Sequence, residues 1–192
     1  MTIFALPFRD TVPESVRWVV DTSCFTHLFQ AGLGQLLEEL SPGGIVLIPT
    51  DVLTEVANRR SLHAGIPDPQ SLNWVETAVL TDDEVLTHLQ VNVALGGEGQ
   101  RHLGESAVIS TAYHRGLIAI LDDRAAVAQA DELGVPHYST LWLVVEAYRT
   151  VFGRDRQRAA EAVDGLLASG MYLPISDGDS LVVWAYEEGI LP

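Results

Sequence analysis

Residues 117–136 read LIAILDDRAAVAQADELGVP. The run from Leu117 to Leu121 is continuously apolar, which is typical of a strand covered on both faces of a parallel sheet. Arg124 to Leu133 has the composition of an alanine-rich helix, and Val135 to Tyr138 predicts the next strand. A strand, a helix and a second strand in this order indicate a parallel sheet with right-handed crossovers.

The same alternation occurs upstream. Arg17 to Asp21 predicts a strand followed by a helix, and Ile45 to Ile48 predicts a second strand, with Asp51 to Asn58 as its helix. The pattern predicts a three-layer α/β/α sandwich with a central parallel sheet and extra C-terminal helices. A short extended piece is expected within 72–95, before the helix there. The other predicted helices are 33–40, 105–114, 140–152, 155–168 and 179–188.

The composition favours one globular domain. The chain has 192 residues, of which 47% are hydrophobic and 19% charged. We expect a core over about 17–150, an N-terminal arm over 1–16 and a helical extension over 151–192. The arm, with two prolines and no clear period, either lies on the surface or pairs at a sheet edge. The extension either covers the sheet or forms a dimer interface, and the sequence does not decide between these.

The charge balance excludes several function classes. Acidic residues outnumber basic ones 26 to 11, for a net charge of −15, so no general attraction to nucleic acid or anionic membrane is expected. All 11 basic residues are Arg. The absence of Lys excludes phosphate-binding P-loops and Schiff-base chemistry, which both need a lysine. The single Cys24 forms neither an internal disulfide nor a CxxC metal site. Without a leader or a long apolar run, the sequence predicts a cytoplasmic protein.

Acidic residues follow two of the predicted strands. Asp21 ends the first strand, and Asp122 with Asp123 ends the strand of 117–121. Ligands of open α/β sheets bind beyond the carboxyl ends of strands, so these acids are expected to converge there. Glu55, one turn into the helix after the second strand, and Glu105, at the start of another helix, can face the same crevice.

Clustered carboxylates repel one another and need a cation. Oxygen donors favour Mg²⁺ or Mn²⁺, and such a site is typical of phosphodiester hydrolysis. Each acid also has a purely structural interpretation. Asp21 and the Asp122–Asp123 pair can cap the helices that follow them, and Glu105 can interact with a helix dipole.

Four segments in this order resemble the PIN-domain nucleases, including the VapC-like toxins of toxin–antitoxin pairs. They are VVDTS at 19–23, IPTDVLTEV at 48–56, GESAVISTA at 104–112 and LDDRAAVAQADELGVP at 121–136. The resemblance covers about 17–150. It implies a metal-dependent ribonuclease that uses water as nucleophile and forms no covalent intermediate.

The resemblance also implies residue roles. The catalytic acids would be Asp21, Glu55, Glu105, Asp122 and Asp123. All of these except Glu55 would be metal ligands, and which of Asp122 and Asp123 touches the metal stays open. Thr22 and Ser23 occupy positions where the family often has a hydroxyl, and the resemblance implies that both bind substrate.

Expected partners are an RNA substrate, an antitoxin that inserts an arginine among the acids, and a second copy in a homodimer. The candidate phosphate contacts, each of which can equally be solvated surface, are Arg59, Arg60, Arg101, Arg115 and Arg124, with Arg101 and Arg124 preferred. Two alternatives remain: a catalytically silent PIN-like module that binds RNA or protein, and a phosphatase of the haloacid dehalogenase type. The latter lacks support because Asp21-Thr22-Ser23 replaces its DxD and its lysine is missing.

Overall fold

The computed structural model describes residues 16–192, so the arm expected over 1–16 lies almost wholly outside it. The described chain forms a five-stranded parallel sheet of order β3-β2-β1-β4-β5, flanked by helices in a three-layer α/β/α arrangement. The strands are β1 Trp18–Val20, β2 Val46–Pro49, β3 Val75–Ala78, β4 Ile118–Ile120 and β5 His137–Tyr138.

The strand order reverses beside β1. The chain runs outward from β1 through β2 to β3 and then returns to place β4 on the other side of β1. Trp18 pairs with both Val46 and Ile118, and the three central strands are fully buried, which their continuous apolar composition predicts. The crevice between the carboxyl ends of β1 and β4 is therefore the position where such sheets bind ligands.

Nine helices surround this sheet in the described residues. They are α1 Thr22–Gln30, α2 Leu36–Leu40, α3 Thr50–Arg60, α4 Asp82–Ala94, α5 Leu103–Arg115, α6 Arg124–Leu133, α7 Thr140–Thr150, α8 Arg156–Ala168 and α9 Leu181–Glu187. Helix α5 packs directly on β1, β2 and β4, and α4 packs on α5. Helix α8 contacts α1, α7 and α9, so the C-terminal extension covers the body of the protein.

A continuous apolar core holds the layers together. Phe25 and Leu28 of α1, Ile109 of α5 and Leu143 of α7 are fully buried in it, together with the strand residues. Burying a side chain of this size contributes about 1.5–3 kcal/mol. The core fixes the sheet and α5, and these elements carry the residues of the crevice.

The interface between α4 and α5 contains an ion pair whose acid is buried and whose arginine side chain is 31% exposed. Glu84 is 2% exposed, and its carboxylate accepts hydrogen bonds from Arg115 Nε at 2.6 Å and from the Thr81 backbone N–H at 2.7 Å. Arg115 also donates to Glu84 Oε2 at 2.9 Å and to the Val79 carbonyl at 2.8 Å. Arg115 lowers the pKa of Glu84 to about 2. We refer to these two side chains as the Glu84–Arg115 pair.

The predicted fold is confirmed, with small corrections at element ends. The helix expected over 51–58 extends from Thr50 to Arg60, and the one expected from 33 begins at Leu36 because Leu33 lies in a turn. The segment expected as a helix over 179–188 is a short 3₁₀ turn followed by α9. Within residues 16–192, no helix has both the length and the apolar character that crossing a membrane requires.

Candidate functional site

A cleft of about 530 Å³ opens at the crevice between β1 and β4. Four of the acids expected there line it, namely Asp21, Glu105, Asp122 and Asp123. Ser23 lines the same space, as do residues of α3 and of the segment after α8. We call this the acidic cleft.

Asp21 lies at the inner end of the acidic cleft and is 2% exposed. It follows β1 directly and has an extended backbone, so its side chain caps α1: Oδ1 accepts a hydrogen bond from the Cys24 backbone N–H at 2.7 Å. Among the described residues, no hydrogen bond reaches Oδ2. Asp21 can therefore cap α1 and bind a ligand at the same time, because Oδ1 caps the helix and Oδ2 is free to bind the ligand.

Asp122 is held by the residue that begins α7. The Thr140 backbone N–H donates to Oδ1 at 2.9 Å, and the Thr140 hydroxyl donates to Oδ2 at 2.6 Å. Thr140 follows β5, the strand next to β4, so the sheet brings the two residues together. These two bonds fix the orientation of the Asp122 carboxylate.

Asp21, Cys24 and Asp122 form a compact group. One donor atom from each lies within 4.8 Å of the others. Burial raises the pKa of Asp21 well above its usual value, and the neighbouring Asp122 carboxylate raises it further. Burial likewise raises the pKa of Asp122. Two adjacent carboxylates whose ionised forms are destabilised in this way fit a hard divalent cation that would neutralise them.

Cys24 was not expected in this group. Burial, Asp122 and Asp21 together raise the pKa of its thiol, and a soft sulfur donor suits Mg²⁺ or Mn²⁺ less well than carboxylate oxygens do. Its place follows from helical geometry, because it lies one turn beyond Asp21 on α1. The oxygens of the two aspartates are thus the donors of the group.

Glu55 joins three elements beside the acidic cleft. It accepts a hydrogen bond from the Thr22 hydroxyl, at the start of α1, and one from the Gly104 backbone N–H at 2.9 Å, at the start of α5. A Cβ at position 104 would lie 2.6 Å from Glu55 Oε2, so any larger residue there would displace the Glu55 carboxylate. Glu55 itself lines a second cleft, of about 410 Å³, rather than the acidic cleft.

Glu105 lines the acidic cleft from the first turn of α5. Burial raises the pKa of this carboxyl, and the charge of Glu55 adds to the shift. Its Oε1 lies 3.8 Å from Nδ1 of His102. Glu105 is therefore a carboxylate that takes up a proton more readily than an exposed glutamate.

The structure separates Asp123 from Asp122. Asp123 is exposed, and its Oδ1 accepts hydrogen bonds from the backbone N–H groups of Ala125 at 2.9 Å and Ala126 at 3.0 Å. It caps α6 while lining the outer part of the cleft. Asp122, by contrast, lies in the group with Asp21.

The arginines expected to contact phosphate have different surroundings. Arg59 and Arg124 line the acidic cleft. Arg60 pairs with Asp68 at 3.2 Å, and Arg115 belongs to the Glu84–Arg115 pair. Arg101 is exposed between Gln100 and Leu103, which line the second cleft.

Sequence reasoning missed several residues of this region. Thr140 could have been found by the rule that located the acids, since it follows the strand adjacent to β4. Gly104 lies within one of the four quoted segments, but its contact with Glu55 depends on packing between α3 and α5. Met171 and Tyr172 also line the acidic cleft, and they come from the segment after α8 that no pattern connected to the site.

A family model described as a PIN domain matches residues 17–177. The chain belongs to the PIN-domain family. The match extends beyond the four quoted segments and includes α7 and α8. PIN domains are generally nucleases that use a divalent metal, and this PIN domain carries the acidic group such chemistry needs. No curated protein matches the chain.

Proposed function

We propose that this PIN-domain protein is a Mg²⁺- or Mn²⁺-dependent endoribonuclease that hydrolyses phosphodiester bonds in the acidic cleft. The observation that carries the proposal is the convergence of Asp21 and Asp122, two carboxylates with raised pKa values on adjacent strand ends. Neither forms an ion pair with an arginine or histidine among residues 16–192. A cation supplied from solution would complete the group.

Asp21 and Asp122 would hold this metal. Glu105, which lines the same cleft, would complete the coordination of the metal directly or through a water molecule. When bound, a divalent ion of this kind supplies charge stabilisation at phosphate oxygens and a more acidic water. Asp123 lies farther out, and we assign it to the cleft rim because its carboxylate caps α6.

Two glutamates would have different roles around the metal acids. Glu105, whose pKa is raised by burial, is suited to orient the attacking water and accept its proton. Glu55 is a positioning residue, because it holds the starts of α1 and α5 together through Thr22 and Gly104. Ser23 lines the cleft and can donate to a phosphate oxygen.

Two arginines can bind the backbone of the substrate. Arg59 and Arg124 line the acidic cleft, and in the described part of the chain neither forms a salt bridge. In a protein of net charge −15, such local cations must supply the attraction for a polyanion. Arg101, an exposed residue next to Gln100 of the second cleft, is a further candidate.

The toxin role belongs to this proposal as well. An antitoxin would neutralise the carboxylates of the acidic cleft by inserting an arginine, in place of metal and substrate.

The homodimer is also proposed here. Helix α4 exposes Leu86, Leu89 and Val93, which are 61%, 53% and 75% exposed and could form its interface.

The decisive experiment compares the wild-type protein with Asp21→Asn on a mixed pool of RNA and single-stranded DNA, with Mn²⁺, Mg²⁺ or EDTA. Asparagine caps helices as well as aspartate does, so the variant should keep α1 and lose only the charge. Asp155→Asn is the matched control, because Asp155 caps α8 through the Gln157 and Arg158 N–H groups away from the cleft.

We expect metal-dependent cleavage of RNA by the wild type and by Asp155→Asn, and its loss in Asp21→Asn. Equal cleavage by a folded Asp21→Asn would contradict the assignment. Binding of RNA without cleavage under any metal would favour the catalytically silent module.

A further inference from the structure

Tyr172 is an exposed aromatic residue in the wall of the acidic cleft. Its side chain is 79% exposed, although residues on both sides are buried: Met171 is 5% exposed and Leu173 is 7% exposed. The two buried neighbours anchor the segment, and the tyrosine between them therefore points outward. An aromatic ring held at the rim of a polar cleft leaves a large apolar face in water.

The backbone before Tyr172 is fixed. Gly170 ends α8 with a φ of +84°, a conformation that favours glycine, and its N–H bonds the Leu167 carbonyl at 3.0 Å. The Met171 N–H then bonds the Leu166 carbonyl at 3.2 Å. The ring is thus presented from a hydrogen-bonded turn.

Arg124 lies beside this ring. Its guanidinium carbon is 5.7 Å from the centre of the Tyr172 ring, within the range of a cation–π contact. Arg124 is the first residue of α6 and follows Asp122 and Asp123, the acids at the end of β4. The arrangement places an aromatic face and a cation without a salt bridge next to the carboxylates of the cleft.

This combination matches the chemistry of a nucleotide. A planar base can stack on a tyrosine ring, and a guanidinium can bind the adjoining phosphate. A base inside a duplex already has neighbours on both faces, whereas a base in a single strand can turn out onto the ring. The carboxylates alone do not distinguish a single strand from a duplex.

We propose that Tyr172 stacks an unpaired nucleobase at the rim of the acidic cleft while Arg124 binds its phosphate, so that these two residues form a base-binding subsite beside the carboxylates. The inference rests on the proposed nuclease function and deepens it. Stacking uses the base and not the sugar, so Tyr172 should contribute equally on RNA and DNA strands.

The test measures binding and cleavage separately. Binding of a short fluorescein-labelled RNA strand of mixed sequence is followed by anisotropy, with Asp21→Asn as the background and with Mg²⁺ present. A single-stranded DNA of the same sequence and a blunt-ended RNA duplex, which has no unpaired base, are the comparison probes. The variants are Tyr172→Ala, Tyr172→Phe, which keeps the ring, and Tyr186→Ala. Tyr186 is 53% exposed and lines a different pocket, with Arg156 and Asp179.

We expect Tyr172→Ala to weaken binding of both single strands by roughly 5- to 100-fold, the range found for one stacked base. Tyr172→Phe should restore the affinity, Tyr186→Ala should leave it unchanged, and binding of the blunt-ended duplex should not respond. In the cleaving enzyme the same loss should appear in KM for the single strand.

Unchanged single-strand affinity in Tyr172→Ala would overturn the inference, as would an equal loss on the blunt-ended duplex. Tyr172-dependent binding by a wild-type protein that cleaves nothing would instead support the inference while refuting the proposed nuclease activity. The two proposals therefore fail in distinguishable ways.

Discussion

The acidic cleft and the interface between α4 and α5 both bury carboxylates, with opposite results. At the interface, Arg115 lowers the pKa of Glu84 to about 2. In the cleft, burial and the proximity of Asp122 raise the pKa of Asp21 well above its usual value. The first region contains its own cation, and the second is arranged to receive one. A buried acid alone therefore does not indicate a functional site, whereas a buried acid that lacks a cationic partner is a candidate for one.

The two regions also respond to pH in opposite directions. For Glu84, the folded pKa lies below the unfolded value of 4.5, so its stabilisation is present above that pH and is lost as the pH falls towards 2. For Asp21 and Asp122 the folded pKa values are raised. Their folded state is most favoured below the unfolded value of 3.8, and this advantage is lost as the pH rises through the folded pKa values.

The largest effect is expected for Asp122→Asn, which removes one charge from the cleft. Cleavage should fall by about 100-fold or more, the cost typical of losing a key electrostatic group in an active site. The metal-free variant should nevertheless melt at a higher temperature than the wild type, because a destabilised buried charge is gone. Its advantage should grow as the pH rises from about 4 to neutrality. Melting curves at several pH values, recorded with EDTA, measure this.

Addition of metal should reverse the order of melting temperatures between the wild type and Asp122→Asn. Mg²⁺ or Mn²⁺ should raise the melting temperature of the wild type and of Asp155→Asn, because a ligand bound only by the folded state stabilises it. The melting temperature of Asp122→Asn should respond little. If neither ion changes the melting temperature of the wild type, the claim that the acidic cleft receives a cation is contradicted.

The next largest effect is expected when the cation of the interface is removed. Arg115→Ala leaves the buried Glu84 carboxylate without its partner and should lower the free energy of unfolding by about 1–3 kcal/mol, the cost of an unsatisfied buried acceptor. The difference from wild type should shrink as the pH falls from 4.5 towards 2, where Glu84 takes up a proton. Urea unfolding at several pH values measures both effects.

Arg17→Ala is the matched control for that variant. Arg17 pairs with Glu76, whose side chain is 53% exposed, so the loss should be within about 0.5 kcal/mol. Cleavage by folded Arg115→Ala should equal that of the wild type, because the pair lies outside the cleft. A large loss of activity at full folding would show that the interface and the site are coupled.

The sequence predicts much of the cleft because two rules act together. Apolar runs followed by acids identify strand ends, and parallel pairing brings the carboxyl ends of β1 and β4 to one edge of the sheet. Asp21 and Asp122 were found this way although 100 positions separate them. The helices were also predictable, since capping residues and glycines mark their ends.

The rest depends on geometry that no local pattern contains. Asp122 and Asp123 are adjacent and chemically identical, and only the exact end of β4 decides which one turns towards Asp21. The contribution of Tyr172 depends on how α8 packs on the body of the protein, because that packing brings its segment to the cleft. Such contacts follow from tertiary packing and not from residue spacing.

A smaller effect on activity is expected when a larger residue at position 104 displaces the Glu55 carboxylate. In Gly104→Ala the new methyl group displaces the Glu55 carboxylate, which lies 2.6 Å from the Cβ position. Cleavage should fall by about 10- to 100-fold if the starts of α1 and α5 shift slightly. Stability should change little, because the gain of about 0.5–1 kcal/mol from alanine in a helix offsets weakened hydrogen bonds of Glu55 to Thr22 and Gly104.

Gly165→Ala supplies the control for Gly104→Ala. A Cβ at position 165 of α8 would meet Ala31 Cβ at 3.4 Å, away from the acids, so this variant tests the gain in helix propensity alone. We expect full activity from it. Equal kcat/KM values for the two variants would show that Glu55 does not position the site.

The smallest effect is expected for the hydroxyl that orients Asp122. Thr140→Val removes the bond to Oδ2 but keeps the backbone N–H bond to Oδ1, so the carboxylate loses only part of its support. The Mn²⁺ concentration for half-maximal cleavage should rise by about 3- to 10-fold, which corresponds to one ordinary hydrogen bond. Thr140→Ser should restore the wild-type value because it keeps the hydroxyl. If the serine and valine variants require equal metal, Asp122 is positioned by the backbone bond alone, and the orientation of the cleft acids is set by the sheet.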